Sequence, residues 1–213
     1  MFNFVTKNEG QLYADNHKFF LNQLNTKIIY YVPGNHDTDS YREKQYLNYV
    51  GYKEKLINFD NLNIAIGLID SNLKKTLPSE NLTTGFRISN NSRTIINDLN
   101  ENQTNIIVMH NHIYFNHSKF TNNEKNENIS LANEIYWNDE IVPKLIQKNV
   151  RYVISGDPTC CNKNQADDNL IFLNKNNINY INSAPDWKGS NFQYLMIEIK
   201  GGELLIKVKN LVS

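Results

Sequence analysis

Short apolar runs that each stop at a polar side chain are the feature that most constrains the fold of this chain. Such runs occupy residues 28–32, 64–69, 105–109 and 151–155. Runs of this length, rich in β-branched and aromatic residues, are typical of strands, and a run that is apolar throughout predicts a strand buried on both faces. In open α/β sheets, sites form just beyond the carboxyl ends of the strands. The sequence therefore predicts a site to which several strands each contribute a polar group.

The residues that follow these runs are candidate ligands: Asn35, His36, Asp37, Asp70, His110, His112 and Asp157. A single histidine after a strand is more often a structural residue, and an isolated Asn-His-Asp is more often an Asx-type turn with solvated side chains than a metal site. The informative feature is the repetition of the pattern at the same end of successive strands. Imidazole nitrogen with carboxylate and amide oxygen suits Mn, Fe or Zn. One or two such ions can activate water and polarise phosphoryl oxygens.

Helical patterns alternate with the strands, so the fold class predicted is α/β. Apolar spacing indicates helices at 11–24, 41–50, 92–100 and 131–147, the last of them bent or restarted near Pro143. Strands are expected at 27–32, at 59–61 and 62–70 with an Asp-Asn turn between them, and at 105–109 and 151–155. The tail predicts strands at 170–173, 178–183, 192–199 and 203–209, with Gly201-Gly202 as a hairpin turn. Segments 73–90 and 116–128 are expected to be loops, and we expect a single domain over residues 1–213.

Composition argues against several classes of function. Lys+Arg and Asp+Glu number 22 each, so no net charge attracts nucleic acid or an anionic membrane. The two cysteines, Cys160 and Cys161, are adjacent, and vicinal cysteines rarely form a relaxed disulfide. No apolar run has membrane-spanning length, and the start of the chain has no signal-peptide pattern. The compartment is left unknown, and neither a membrane nor a nucleic acid is expected as a partner.

Residues 32–37, Val-Pro-Gly-Asn-His-Asp, resemble the Gly-Asn-His-Asp/Glu block of the calcineurin-like metallophosphoesterases. Residues 107–112, Ile-Val-Met-His-Asn-His, are similar to the later strand-plus-histidine block of that family. Residues 153–157, Val-Ile-Ser-Gly-Asp, stand where the family usually has Gly-His-x-His. The order of strands, helices and terminal hairpin agrees too, so the resemblance covers essentially the whole chain. It implies a layered β-sandwich flanked by helices, and divalent metal ions acting on a phosphate-ester substrate.

The resemblance also implies roles for individual residues. Asn35, His110 and Asp157 would be metal ligands, Asn35 through its amide oxygen. His36 would be the catalytic imidazole, which stabilises charge on the phosphate and protonates the leaving alcohol, and Asp37 would hold or orient it. Asp70 and His112 are second-rank candidates. Asp70 also fits a turn at a strand end, and His112 falls where many relatives have proline.

The chain departs from the family pattern in two places. Residues 156–159 read Gly-Asp-Pro-Thr, so one histidine of the usual block is replaced by aspartate and the other by threonine, a poor ligand. The earlier Asp-x-His and Gly-Asp-x-x-Asp/Asn blocks are not found. The letters Asp-x-His at Asp15 and His17 lie inside a helical pattern and are interpreted as accidental. We therefore expect a truncated, N-terminally incomplete domain with N-terminal strand(s) missing and an exposed sheet edge. Such an edge predicts self-association or a complementing N-terminal segment.

Two function classes remain after these observations. The first is a metal-dependent phosphoesterase that hydrolyses a phosphate mono- or diester with metal-activated water. The second is a catalytically weak or inactive relative that serves as a binding or regulatory module. The absent blocks favour the second for this polypeptide, and the retained residues at 35–37 and 110 favour the first for its lineage.

Overall fold

The computed structural model describes residues 29–34, 37–38, 41–76, 83–111, 135–156, 170–183, 192–200 and 203–211. Within these ranges the α-helices are α1 (Tyr41–Val50), α2 (Asn90–Asp98) and α3 (Val142–Gln147). The strands of the first half are β1 (Lys55–Phe59), β2 (Ile64–Leu68), β3 (Leu73–Thr76), β4 (Thr83–Arg87) and β5 (Thr104–Met109). Those of the second half are β6 (Val150–Ser155), β7 (Leu170–Lys175), β8 (Ile178–Ser183), β9 (Phe192–Lys200) and β10 (Glu203–Leu211).

A six-stranded sheet in the order β1-β2-β5-β6-β8-β7 forms the centre of this architecture. Its four inner strands, β2, β5, β6 and β8, are parallel, whereas β1 and β7 pair antiparallel at the two edges. The carboxyl ends of the inner strands therefore point to one edge of the sheet, as the sequence predicts. Two antiparallel pairs, β3–β4 and β9–β10, complete the described strands.

Both faces of the central sheet are covered, which explains why its inner strands are apolar throughout. One face packs against the helices through a cluster that includes Ile96, Trp137 and Leu145. The opposite face carries Ile64, Ile106, Ile154 and Ile181, against which Leu204 and Ile206 of β10 pack. Alternate residues of a strand point to opposite faces, so neighbours such as Ile106 and Ile107 join different clusters. The result is a mixed α/β structure with a layered sheet flanked by helices, as expected.

Several predicted elements are confirmed, some of them with shifted boundaries. Helix α1 has the predicted bounds, and α2 begins earlier, at Asn90, because the Ser89 side chain accepts the Ser92 N–H and caps it. The predicted irregularity near Pro143 is a π-helical turn at Trp137–Ile141, after which α3 starts. In the β7–β8 turn, Asn176 and Asn177 have φ of 57° and 60°, a conformation that asparagine tolerates well.

Two local predictions are wrong. Residues 29–34 form no strand, and the Tyr31 N–H, which a ladder would use, donates to the Tyr52 hydroxyl at 2.9 Å. The predicted loop 73–90 contains the β3–β4 hairpin, which lies outside the central sheet and therefore has no apolar run that would mark its strands. The two strands expected at 59–61 and 62–70 are confirmed as β1 and β2 with shifted boundaries, and the Asp-Asn turn expected between them is a 3₁₀ turn at Asp60–Leu62. The predicted helix at 11–24 and the loop at 116–128 lie outside the described residues.

Candidate functional site at the strand ends

Backbone hydrogen bonds join three parallel strands just beyond their carboxyl ends. The Ile69 N–H donates to the Val108 carbonyl at 3.0 Å, and the Gly156 N–H donates to the His110 carbonyl at 3.2 Å. The segments after β2, β5 and β6 therefore stay side by side past the last ladder residue. Asp70, His110 and Gly156, which precedes the predicted ligand Asp157, are accordingly neighbouring positions at one edge of the sheet.

A hydrogen-bonded turn follows the Val-Pro-Gly run at this edge. The Asp37 N–H donates to the Gly34 carbonyl at 3.0 Å, and the Gly34 N–H donates to Oδ2 of Asp37 at 2.8 Å. The Asp37 backbone and the Asp37 side chain thus each form one hydrogen bond with the Gly34 backbone across the turn. The two residues between them in the sequence, Asn35 and His36, are outside the described ranges.

The imidazole of His110 lies against this turn. A Cβ built on Gly34 would be 3.1 Å from Oδ2 of Asp37, 3.5 Å from Cε1 of His110 and 3.6 Å from its Nε2. The His110 ring therefore lies beside Gly34, at a distance where an added Cβ would make ordinary van der Waals contact with it, whereas the Asp37 carboxylate leaves less space than such a Cβ needs. The first and third of the polar strand ends predicted from the sequence meet here.

Asn72 connects the turn to the segment that follows β2. Its Nδ2 donates to the Pro33 carbonyl at 2.8 Å and to Oδ1 of Asp70 at 2.8 Å, and its backbone N–H donates to the same Asp70 oxygen at 2.9 Å. Asp70 and Asn72 are 4% and 8% exposed. Asp70 is therefore the acceptor of an Asx-type turn at the strand end, and this turn supports the Pro-Gly backbone.

Asn111 connects the segment that follows β5 to the Asx-type turn that follows β2. Its backbone N–H donates to Oγ of Ser71 at 2.8 Å, and its Nδ2 donates to the Ser71 carbonyl at 3.0 Å and to Oδ1 of Asn72 at 2.7 Å. Asn111 is 2% exposed, and its Oδ1 has no hydrogen-bond partner within the described part of the chain. The site is thus underlain by a buried polar network of Asp70, Ser71, Asn72 and Asn111, which we call the strand-end network.

Lys53 supplies a positive charge to the strand-end network. Its Nζ lies 3.4 Å from Oδ2 of Asp70 and 2.7 Å from Oε1 of Glu43 on α1. Burial lowers the pKa of Lys53, but the hydrogen bond to Glu43 and the negative charges of Asp70, Glu43 and Glu54 outweigh it, so that this pKa is raised above its ordinary value. Lys53 is therefore protonated at neutral pH and offsets the buried Asp70 carboxylate.

The structure brings together those predicted site residues that it describes. Asp37 and His110 meet at Gly34, and Asp70 is linked to the same turn through Asn72. Asn35, His36, His112 and Asp157 are not among the described residues, so their predicted roles stay predictions. In the sequence, Gly34 and Asp37 flank Asn35 and His36. His110 stands two residues before His112, and Gly156 directly precedes Asp157.

The donor types at this edge suit a divalent ion, since they combine an imidazole with carboxylate and amide oxygens. Within the described residues, however, no three His, Cys, Asp or Glu side chains come together. Oδ2 of Asp37 already accepts the Gly34 N–H, and Oδ1 of Asp70 accepts two bonds from Asn72. Asn35 and Asp157, which the family resemblance pairs with His110 as ligands, lie outside the described residues.

Comparison with known proteins agrees with this arrangement. The family model described as calcineurin-like phosphoesterase matches residues 6–184. The match covers most of the chain, including every strand end at the site, and the chain belongs to the calcineurin-like phosphoesterase family. No curated protein and no solved structure matches it. In the part of the chain that the structure describes, no helix is long and apolar enough to cross a membrane.

The sequence indicated only part of this support. Ser71 and Asn72, with Asp70, were candidates for shaping the pocket, although turn chemistry at a strand end was the preferred interpretation, and no sequence feature singled out Asn111 or Lys53. A polar pair directly after a fully apolar strand, as at Asp70 and Asn72, was the available signal, because such a pair must satisfy buried backbone groups.

Proposed function

We propose that this protein is a metal-dependent phosphoesterase that hydrolyses a phosphate mono- or diester with metal-activated water. The observation that carries the proposal is the position of the His110 imidazole beside Gly34, the glycine of the Gly-Asn-His-Asp block. It brings a predicted metal ligand from β5 to the turn that carries the predicted catalytic histidine. Family membership supports the same reaction class.

Chain connectivity supports the inclusion of further residues at this edge. Gly34 and Gly156, the described residues that directly precede Asn35 and Asp157 in the sequence, both lie at this edge of the sheet. Asn35, His110 and Asp157 would hold the ion, with Asp70 and His112 as further candidates. When bound, a Mn, Fe or Zn ion supplies an activated water and neutralises charge on the phosphoryl oxygens.

His36 is proposed to act on the substrate directly. A protonated imidazole can stabilise negative charge on the phosphate and pass its proton to the departing alkoxide oxygen, which leaves as an alcohol. Asp37 is proposed to favour the protonated form and the orientation of that imidazole. Its Oδ2 is already bonded to the Gly34 N–H, so the carboxylate is fixed with respect to the turn.

Hydrolysis of an aryl phosphate monoester and an aryl phosphate diester tests the proposal. Each substrate is assayed with Mn, Fe or Zn for the wild type, for His36→Ala and for His117→Ala, a matched control in the polar segment 116–128. We expect metal-dependent turnover by the wild type and the control, and its loss in His36→Ala. No turnover by the wild type at any metal concentration would favour the binding or regulatory module instead. Equal turnover by His36→Ala would refute the role of His36.

A further inference from the structure

The Asn72 side chain bonds to both halves of the site. Its Nδ2 donates to Pro33, the residue before Gly34, and its Oδ1 accepts from Nδ2 of Asn111, the residue after His110. These bonds measure 2.8 Å and 2.7 Å. Because His110 lies beside Gly34, the Asn72 amide spans the same gap one residue further from the site.

The orientation of this amide is determined by its partners. Pro33 offers a carbonyl and Asp70 a carboxylate, and both are acceptors, so the nitrogen of Asn72 must face them and the oxygen must face Asn111. A second bond from the Asn72 backbone N–H to Oδ1 of Asp70 fixes the residue itself. Burial excludes competing water, so these bonds restrict the side chain strongly.

We propose that Asn72 is a positioning residue that sets the distance between His110 and the Pro-Gly turn. The proposal rests on the proposed phosphoesterase function and deepens it. Asn72 acts through the Pro33 carbonyl on one side and through Asn111 on the other, and does not touch the substrate. Asp70 acts one step further away, since it holds the Asn72 nitrogen toward Pro33.

The isosteric change Asn72→Asp removes the hydrogen bond to the Pro33 carbonyl and keeps the one from Asn111. A carboxylate at position 72 still accepts from Nδ2 of Asn111, but it replaces the donor that faces Pro33 and Asp70 with an acceptor. Like-signed oxygens would then face each other at distances where hydrogen bonds had been, and the turn would move away from Asn72. Since small displacements of reacting groups are costly, we expect kcat/KM to fall about 100-fold, chiefly through kcat.

Asn105→Asp is the matched control. Asn105, on β5, is a buried asparagine like Asn72, and its Nδ2 donates to two carbonyls, those of Asn100 and Lys148. It lies at the amino end of the strand, opposite the site. We expect Asn105→Asp to lower stability as Asn72→Asp does, while kcat/KM stays within about twofold of the wild type once folded protein is compared.

A distance measurement that does not depend on activity completes the test. The close approach of His110 to Gly34 predicts a nuclear Overhauser effect between Hε1 of His110 and an Hα of Gly34, with the His110 signal assigned from His110→Gln. We expect this signal in the wild type and in Asn105→Asp, and expect it to disappear in Asn72→Asp.

The outcomes separate the two proposals. Loss of both the Overhauser effect and kcat/KM in Asn72→Asp alone supports the positioning role. Retention of either one in folded Asn72→Asp overturns it. If the wild type has no activity, the phosphoesterase proposal fails, yet loss of the Overhauser effect in Asn72→Asp would still support the structural half of the inference.

A double variant covers the case in which Asn72→Asp does not fold. In Asp70→Asn/Asn72→Asp the new amide at position 70 can donate to the new carboxylate at position 72, so their link is restored with donor and acceptor exchanged. The Pro33 carbonyl still faces a carboxylate. We expect a folded protein that lacks the Overhauser effect and has low kcat/KM, and full recovery of both would overturn the role of the Pro33 bond.

Discussion

The imidazole of His110 lies beside Gly34, so that a Cβ added to the glycine would be 3.5 Å from Cε1 of the ring. These residues are far apart in the sequence, one after β5 and the other in the turn before α1. Their proximity joins the two sequence blocks that first suggested a phosphate-ester hydrolase. The predictions below depend on this proximity or on the residues that support it.

Gly34→Ala should disturb the site more than it disturbs the fold. The new Cβ would lie 3.1 Å from Oδ2 of Asp37, closer than ordinary van der Waals contact, so the carboxylate that closes the turn beside His110 must shift. We expect stability to fall by about 1 kcal/mol and kcat/KM by at least about tenfold. Urea unfolding and aryl phosphate hydrolysis measure the two effects.

Gly156→Ala provides the comparison for this change. A Cβ at Gly156 meets no described atom within 4 Å, so its stability should stay within about 0.5 kcal/mol of the wild type. If Gly34→Ala were as active as the wild type, the close spacing of the turn and His110 would have no part in the reaction.

Substitutions of Asp37 should separate closure of the turn from assistance to His36. Asp37→Ala leaves the buried Gly34 N–H without its acceptor, which costs roughly 1–3 kcal/mol. Asp37→Asn keeps an oxygen that can accept this bond but removes the charge, so stability should change little while kcat falls about tenfold. Thermal unfolding and kcat together distinguish the two roles. Full activity in Asp37→Asn would show that the Asp37 side chain stabilises the turn and does not assist His36.

Metal binding should stabilise the folded protein through His110. At a Mn concentration 100 times its dissociation constant, the gain is about 2.7 kcal/mol, which raises Tm by roughly 5–11 °C in a chain of this size. Chelation with EDTA should reverse the rise, and His110→Gln should lose most of it. An equal rise in His110→Gln would indicate that the ion binds elsewhere.

Lys53→Met should lower stability in a pH-dependent way. The folded-state pKa of Lys53 is raised, by the Glu43 hydrogen bond and nearby negative charges acting against burial, so the protonated lysine stabilises the fold. This contribution is fully present below the unfolded pKa, about 10.4, and is lost as pH rises through the folded pKa. We expect a deficit of roughly 1 kcal/mol at pH 7 that shrinks above pH 10.5.

Urea unfolding of Lys53→Met at pH 7 and at pH 11 measures this difference. Lys44→Met, on the exposed side of α1, is the control and should match the wild type at both pH values. A deficit for Lys53→Met that is unchanged at pH 11 would point to lost packing of the lysine stem instead of lost charge.

Local chemistry explains why the central elements could be predicted from the sequence. A run such as 64–69 is apolar at every position because both faces of its strand are covered, and that pattern needs no knowledge of the partners. Helix α1 could be bounded for a similar reason, since its apolar spacing and the following Gly51 are properties of the segment itself.

The sequence-based predictions are wrong where the secondary structure of a segment depends on other segments of the chain. Residues 29–32 have the composition of a strand, but a strand exists only when another backbone takes up its hydrogen bonds, and Tyr31 bonds to the Tyr52 side chain instead. The β3–β4 hairpin was missed for the converse reason. Its polar residues pair with each other outside the central sheet, so no apolar run marks them.

The sequence by itself determined that polar side chains follow successive buried strands, and that Gly34, His36 and His110 belong to blocks of a phosphoesterase type. It did so because composition and local order are written along the chain. Only the tertiary structure decided that His110 lies beside Gly34 and that Asn72 joins Pro33 to Asn111. Those relationships depend on the parallel order of β2, β5 and β6, which sets distances between residues that no sequence spacing encodes.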